Sequence, residues 1–160
     1  MGKVLRKFIN GYPGAVSRSA DNIIISVRNA AGTEIPFGAP VFLVSGQNAC
    51  RLFEADVTGP EMFLGIAVRA ADKTPDVYGS SEAAYGTGDP VDVLVRGTTV
   101  VSVDSAAAPG AGVYIRKSDG KFVAAAGAEG TTVQMPNMAV RTARDSARCC
   151  EVVVTKRNVF

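Results

Sequence analysis

The run PVDVLVRGTTVVSV, Pro90–Val103, holds six valines and a leucine in fourteen positions and is introduced by an Asp-Pro pair. That composition, bounded and cut by turn formers, reads as strand, with Gly97 dividing it into two strands at 90–97 and 98–103. The same texture extends in both directions. Upstream, strands are expected at 22–29, 39–46, 49–55 and 62–70; downstream, at 112–117, 121–126, 137–144 and 148–155. Gly, Pro, Asp and Ser clusters separate them, as in a barrel or a two-sheet sandwich. Two hairpins are marked by their turn residues, Gly46-Gln47-Asn48 and Asp119-Gly120. Helix signals are weak. Residues 80–86 would give one turn at most, and 71–90 is the longest loop candidate.

Two words recur. Gly38-Ala-Pro-Val-Phe-Leu43 matches Gly110-Ala-Gly-Val-Tyr-Ile115, and "AVRAA" at 67–71 matches "AVRTA" at 139–143, both at a displacement of 72 positions. Val27-Arg28 and Val95-Arg96 stand ahead of the two halves. The pattern predicts two related β-halves packed as one domain; two copies are too few for a solenoid.

Composition narrows the function. At 160 residues, 47% hydrophobic and 20% charged, the chain suits one domain with a substantial core. A net charge of +2 gives no field that argues for a membrane surface or specific nucleic acid as partner. No apolar run approaches the roughly 18 residues of a membrane span. The start, MGKVLRKFING, has no apolar segment or cleavage site of an export signal, and Arg6 stands where a myristoylation signal needs Ser or Thr.

The sequence contains no histidine, which removes Ser-His-Asp and Cys-His catalysis and the commonest metal ligand. Cys50 is isolated, and Cys149-Cys150 are neighbours that a strand would point to opposite faces, so reduced thiols are expected and no metal site. Glu54 with Asp56, and Asp89 with Asp92, are the carboxylate pairs. Without tryptophan to line a sugar cleft they read as strand ends and turn caps. Asp72 and Asp76 lack the ligand density of a calcium loop. No catalytic residue and no cofactor is expected.

Ahead of the first expected strand lies FINGYPGAVSRSADN, Phe8–Asn22, with two aromatic rings, two glycines, a proline and no periodicity. Ordering about twenty such residues costs on the order of 20–40 kcal/mol of backbone entropy. About 800–1,600 Å² of buried apolar surface would offset that, the scale of a standard interface. The sequence therefore predicts an extended arm over 1–21 and a β-domain over 22–160. The arm would dock through Phe8, Ile9, Tyr12 and Pro13, guided by Lys3, Arg6, Lys7 and Arg18.

The words GYPGAVSRSADNIIIS, FGAPVF, GTGDPVDVLVRG and GAGVYIRKSDGKFVAA, taken in order, resemble the structural cement, or head decoration, proteins of tailed bacteriophages. The resemblance runs over nearly the whole chain. It implies an all-β, β-tulip-like domain that binds the outside of the capsid shell and clamps adjacent major capsid proteins. It also implies a homo-oligomer, commonly a trimer and sometimes a dimer, and a virion protein assembled in the bacterial cytoplasm. It brings no catalytic residues, and it leaves Cys149-Cys150 unexplained. The alternative is another virion β-module, a tail or head-fibre component or a carbohydrate-binding host-recognition domain.

Overall fold

In the computed structural model, residues 10–54, 59–73 and 83–156 are described. The chain forms strands β1 Val16–Asn29, β2 Ile35–Pro36, β3 Pro40–Leu43, β4 Ala49–Arg51, β5 Phe63–Ala67, β6 Ala84–Tyr85, β7 Pro90–Ser102, β8 Gly112–Arg116, β9 Phe122–Val123, β10 Thr132–Val140 and β11 Cys149–Val154. A 3-10 turn, Pro60–Met62, precedes β5. The large sheet runs β1-β4-β3-β5-β7-β11-β10-β8-β9, and β2 with β6 makes a small second one. β1 also pairs β7, so the sheet folds back on itself. The contact of β1 with β4 comprises only Arg28↔Ala49 and Asn29↔Cys50, and the result is sandwich-like rather than a closed barrel.

β7 is the axis. Its first half lies between β5 and β1, pairing Leu94 with both Ile66 and Ile24; its second half lies between β11 and the start of β1, pairing Thr99 with both Val152 and Val16. With ladders on both edges and layers on both faces, Val93–Val95 and Gly97–Val101 are buried. Gly97 therefore does not end a strand, as the sequence suggested. It takes φ 125° within β7, and a Cβ there would lie 2.0 Å from Asn22 Oδ1. Opposite it β1 is irregular: Arg18 pairs Thr98 and Ile23 pairs Arg96, leaving 19–22 as a bulge.

Val91, Val93 and Val95 enter one core with Val27, Ile35, Phe37, Val41, Leu64 and Tyr85. Val101 and Val103 enter another with Phe42, Phe63, Ile115, Phe122, Met135 and Val152. Neighbours Val41 and Phe42 point into different cores, as the two-residue period of a strand requires.

The two expected halves are visible in the ladders. The run β4-β3-β5-β7 is mirrored by β9-β8-β10-β11 in the sheet order. The two Gly-Ala turns make the same pair of hydrogen bonds, one position out of step with the matching words: Gly38 N donates to Ala67 O and Ala67 N to Ala39 O, while Gly110 N donates to Val140 O and Val140 N to Ala111 O. A third copy, unseen in the sequence, stands at the start: Gly14 N donates to Val100 O and Val100 N to Ala15 O. All three are turns closed three residues on, at Tyr12–Ala15, Pro36–Ala39 and Ala108–Ala111, each with a positive-φ glycine third.

Both hairpin turns stand as expected, with Gly46 and Gly120 at φ 72° and 68°. Residues 84–85 are strand rather than helical turn, because Tyr85 pairs Ile35 and its hydroxyl donates to Val68 O.

Candidate functional site

The first described residues do not hang free of the domain. Asn10 donates from its side chain to Ala143 O and Cys149 O, at 2.9 and 2.8 Å, and from its backbone N–H to Asp145 Oδ2. Gly14 is held between Val100 and Arg69, whose N–H donates to Gly14 O at 2.8 Å. From Val16 the chain is β1. The expectation of an arm reaching to residue 21 is therefore corrected for 10–21, which lie on the domain's own sheet; Phe8, Ile9, Lys3, Arg6 and Lys7 fall outside the described residues. Polar residues such as Ser17, Asp21 and Asn22 concealed the start of β1, because its partner is the distant Thr98–Thr99 segment and not a local hairpin.

The remaining expected site residues divide in two. Tyr12 and Pro13 sit in the first Gly-Ala turn, with Tyr12 46% exposed. The Arg69 guanidinium lies 5.3 Å from the Tyr12 ring centroid and 5.0 Å from that of Phe37. Phe37 meets Tyr85 edge-on, which ties this aromatic–cation stack to the core. Tyr12 is thus a half-exposed ring seated on a braced cation. Arg18 stands on β1, its exposed guanidinium 3.1 Å from Glu151 of β11. The sequence named Tyr12 but not its supports. Arg69 belongs to the recurring "AVRAA" word, which was the available signal.

Beside Phe37 lies a cleft of about 350 Å³ lined by Pro36, Leu52, Phe53 and Phe122, with Asp104, Asp119 and Lys121 among its polar groups. Arg116 crosses there: its guanidinium donates to Asp104 Oδ2 at 2.7 Å and to Asp119 Oδ1 at 3.0 Å. Its hydrogen bonds hold the Asp119 carboxyl below the usual carboxylate range. Among the other carboxylates, Glu54 is 3.7 Å from Arg51, and Asp92 accepts from Ser26. Lys73 donates to Asp89 and holds it below its ordinary range. Asp56 and Asp76 lie outside the described residues. These are ion pairs and caps, and among the described residues no cluster is placed to hold a metal.

The cysteines are buried thiols. Cys149 packs with Val100 and Ala147, while Cys150 enters the core with Phe42, as opposite faces require. Desolvation pushes Cys50 up to about 11 and Cys150 up to about 12, which disfavours the reactive thiolate.

The described residues thus form a two-core β-sandwich that carries a braced, half-exposed aromatic ring on its surface. The chain in fact belongs to a phage family described as structural cement protein (E217 gp24/Pam3 gp6), whose model matches residues 3–155. It is accordingly a structural component of the phage capsid. A chain in the solved capsid of Myoviridae Phage XM1 has the same fold, with a TM-score of 0.75 at 19% identity, covering 97% of this chain and 96% of that one. The head fiber gp8.5 N base of bacteriophage phi29 is more distant, with a TM-score of 0.43 at 13% identity over 86% of this chain and 99% of that one. No curated protein matches.

Proposed function

We propose that the protein is a non-enzymatic clamp that sits on the outer surface of the capsid and bridges adjacent major capsid proteins. The family match over residues 3–155 carries this reading. The geometry supplies a means: Tyr12 is half exposed and seated on Arg69, so it loses little side-chain entropy on docking. Residues 1–9, with Lys3, Arg6, Lys7, Phe8 and Ile9, continue from this turn and are proposed to extend the contact onto the neighbouring subunit. Because the chain from Asn10 is held by its own domain, such an arm would order about nine residues rather than twenty, which halves the surface its docking must bury. Association into a homo-oligomer would multiply the contacts made by each clamp.

Co-sedimentation with expanded, DNA-free shells tests the proposal. Removing residues 1–9 is expected to abolish attachment, and Tyr12→Ala to weaken it about tenfold or more, with the β circular-dichroism spectrum retained in both. Native affinity in both variants, or binding to glycans in place of shells, would overturn it.

A further inference from the structure

We infer that the open edge of β1 receives an extended segment of the major capsid protein, one with an apolar residue and a carboxylate four positions apart. The identity of that partner rests on the clamp reading; the edge and the chemistry it selects do not. β1 stands at one end of the sheet order, and from Ile23 to Val27 its strand partner among the described residues is β7 alone. The residues just beyond show which way its backbone groups point. Asn29 N–H donates inward to Asp89 O, whereas Arg28 and Ala30 N–H donate outward, to Asn48 O and Cys50 O. The alternation of an antiparallel ladder carries this back along the strand. Ile25 and Val27 bond to β7, and Ile24 and Ser26 turn their N–H and C=O groups to the open edge. Those four groups are a ladder ready for one short strand. Asn48, at the tip of the β3–β4 hairpin, closes the edge at Arg28 and sets where that strand must stop.

The side chains define what fits. Ile23 and Ile24 are 38% and 44% exposed, so an apolar residue beside Ile24 would cover it. Arg28 lies four residues on, about 13 Å along the strand and on the same face. It is exposed and lines a polar cleft of about 460 Å³ with Gln47, Arg51, Glu54 and Thr87. The carboxylates around it are engaged elsewhere: Asp21 with Arg96, Glu54 with Arg51, Asp89 with Lys73, and Asp92 with the Ser26 hydroxyl. Among the described residues Arg28 therefore has no acidic partner, and the edge ends on an open positive charge.

That charge calls for a foreign occupant. A second copy laid antiparallel about Ile24 would set Arg28 opposite Ala20, which offers it nothing. A carboxylate on a different chain pairs with it. A bridge also needs two separate contacts, and the edge supplies one apart from Tyr12. Val16, just past the Tyr12 turn, pairs Thr99 and Ile24 pairs Leu94, so the two contacts stand on the order of 20 Å apart along β7.

Hydrogen exchange of the full chain, free and bound to expanded DNA-free shells, then quenched and read residue by residue, tests the inference. The amides of Ile24 and Ser26 should exchange fast in the free protein and about tenfold or more slower on shells, with Ile25 and Val27 slow in both. Co-sedimentation gives the second reading. Ile24→Pro removes only an outward N–H and should keep the β circular-dichroism spectrum while weakening shell binding about tenfold or more. Arg28→Glu should weaken it comparably, and it still decides with the exchange data if Ile24→Pro fails to fold. Equal exchange at residues 24 and 26 in both states would overturn the inference. So would protection of those amides in the free protein that rises with its concentration, which would give the edge to a second copy. Native shell binding by both edge variants, with Tyr12→Ala still weakened, would remove the edge and leave the clamp reading standing. Wild-type protein that leaves shells bare would overturn both.

Discussion

At the scale of single residues, the three Gly-Ala turns offer an internal experiment. Gly14 and Gly110 occupy equivalent positions with φ 80° and 87°. A Cβ on Gly14 would lie 2.8 Å from Arg69 N and 3.0 Å from Gly38 N, whereas nothing lies within 4 Å at Gly110. Gly110→Ala should therefore cost only the left-handed backbone penalty, about 1–2 kcal/mol. Gly14→Ala adds a clash with backbone that cannot swing away, for a total of about 2–4 kcal/mol. Urea unfolding of the two variants checks the difference, and equal losses would show that the Gly14–Gly38 contact is slack. The sequence displayed two of these turns because whole words recur around them. The first was hidden because "YPGAV" shares only Gly-Ala with "PFGAPV", and its partner Val100 lies 86 positions away.

At the scale of elements, strand type was legible and strand pairing was not. Valine-rich runs and turn glycines announced β3, β5, β7, β8 and β11, and Asp119-Gly120 announced the β8–β9 hairpin. Gly97 misled, because in a chain a glycine reads as a break, while here it is the only residue type that leaves room for Asn22 opposite. The two-residue strands β2 and β6 had no local signal at all; they exist because Tyr85 and Ile35 share a core. The β8–β9 hairpin also makes a pH prediction. Asp119 is held below its ordinary range, first by the hydrogen bond from Arg116 and further by the Lys121 N–H. A carboxylate with a depressed folded-state pKa contributes stability that is present above the unfolded value of about 3.9 and lost as pH falls through the folded one. The wild type should lose stability on acidification below about pH 4, and Asp119→Asn should be weaker at pH 7 with a smaller acid loss. Denaturant midpoints measured at pH 7 and pH 3 report this; an unchanged pH dependence would remove Asp119 from the balance.

For the molecule as a whole, the decisive fact is that two cores share one strand. Val93 fills the core that holds Phe37 and Tyr85; Val101, eight residues along the same β7, fills the one that holds Phe42 and Phe122. Sequence-related halves of this kind can unfold separately when each has its own strands, but neither core here can lose β7 without exposing the other. In the proposed clamp, tension on either half would be resisted by both. The expected consequence is one calorimetric transition, with equal van't Hoff and calorimetric enthalpies. Val93→Ala and Val101→Ala, each removing two methyls from a fully buried site, should cost roughly 2 kcal/mol apiece and lower that single transition by about 4–8 °C. If Val101→Ala instead split the endotherm, leaving the Val93 half to melt at its original temperature, β7 would be a tether between two domains and not their common wall.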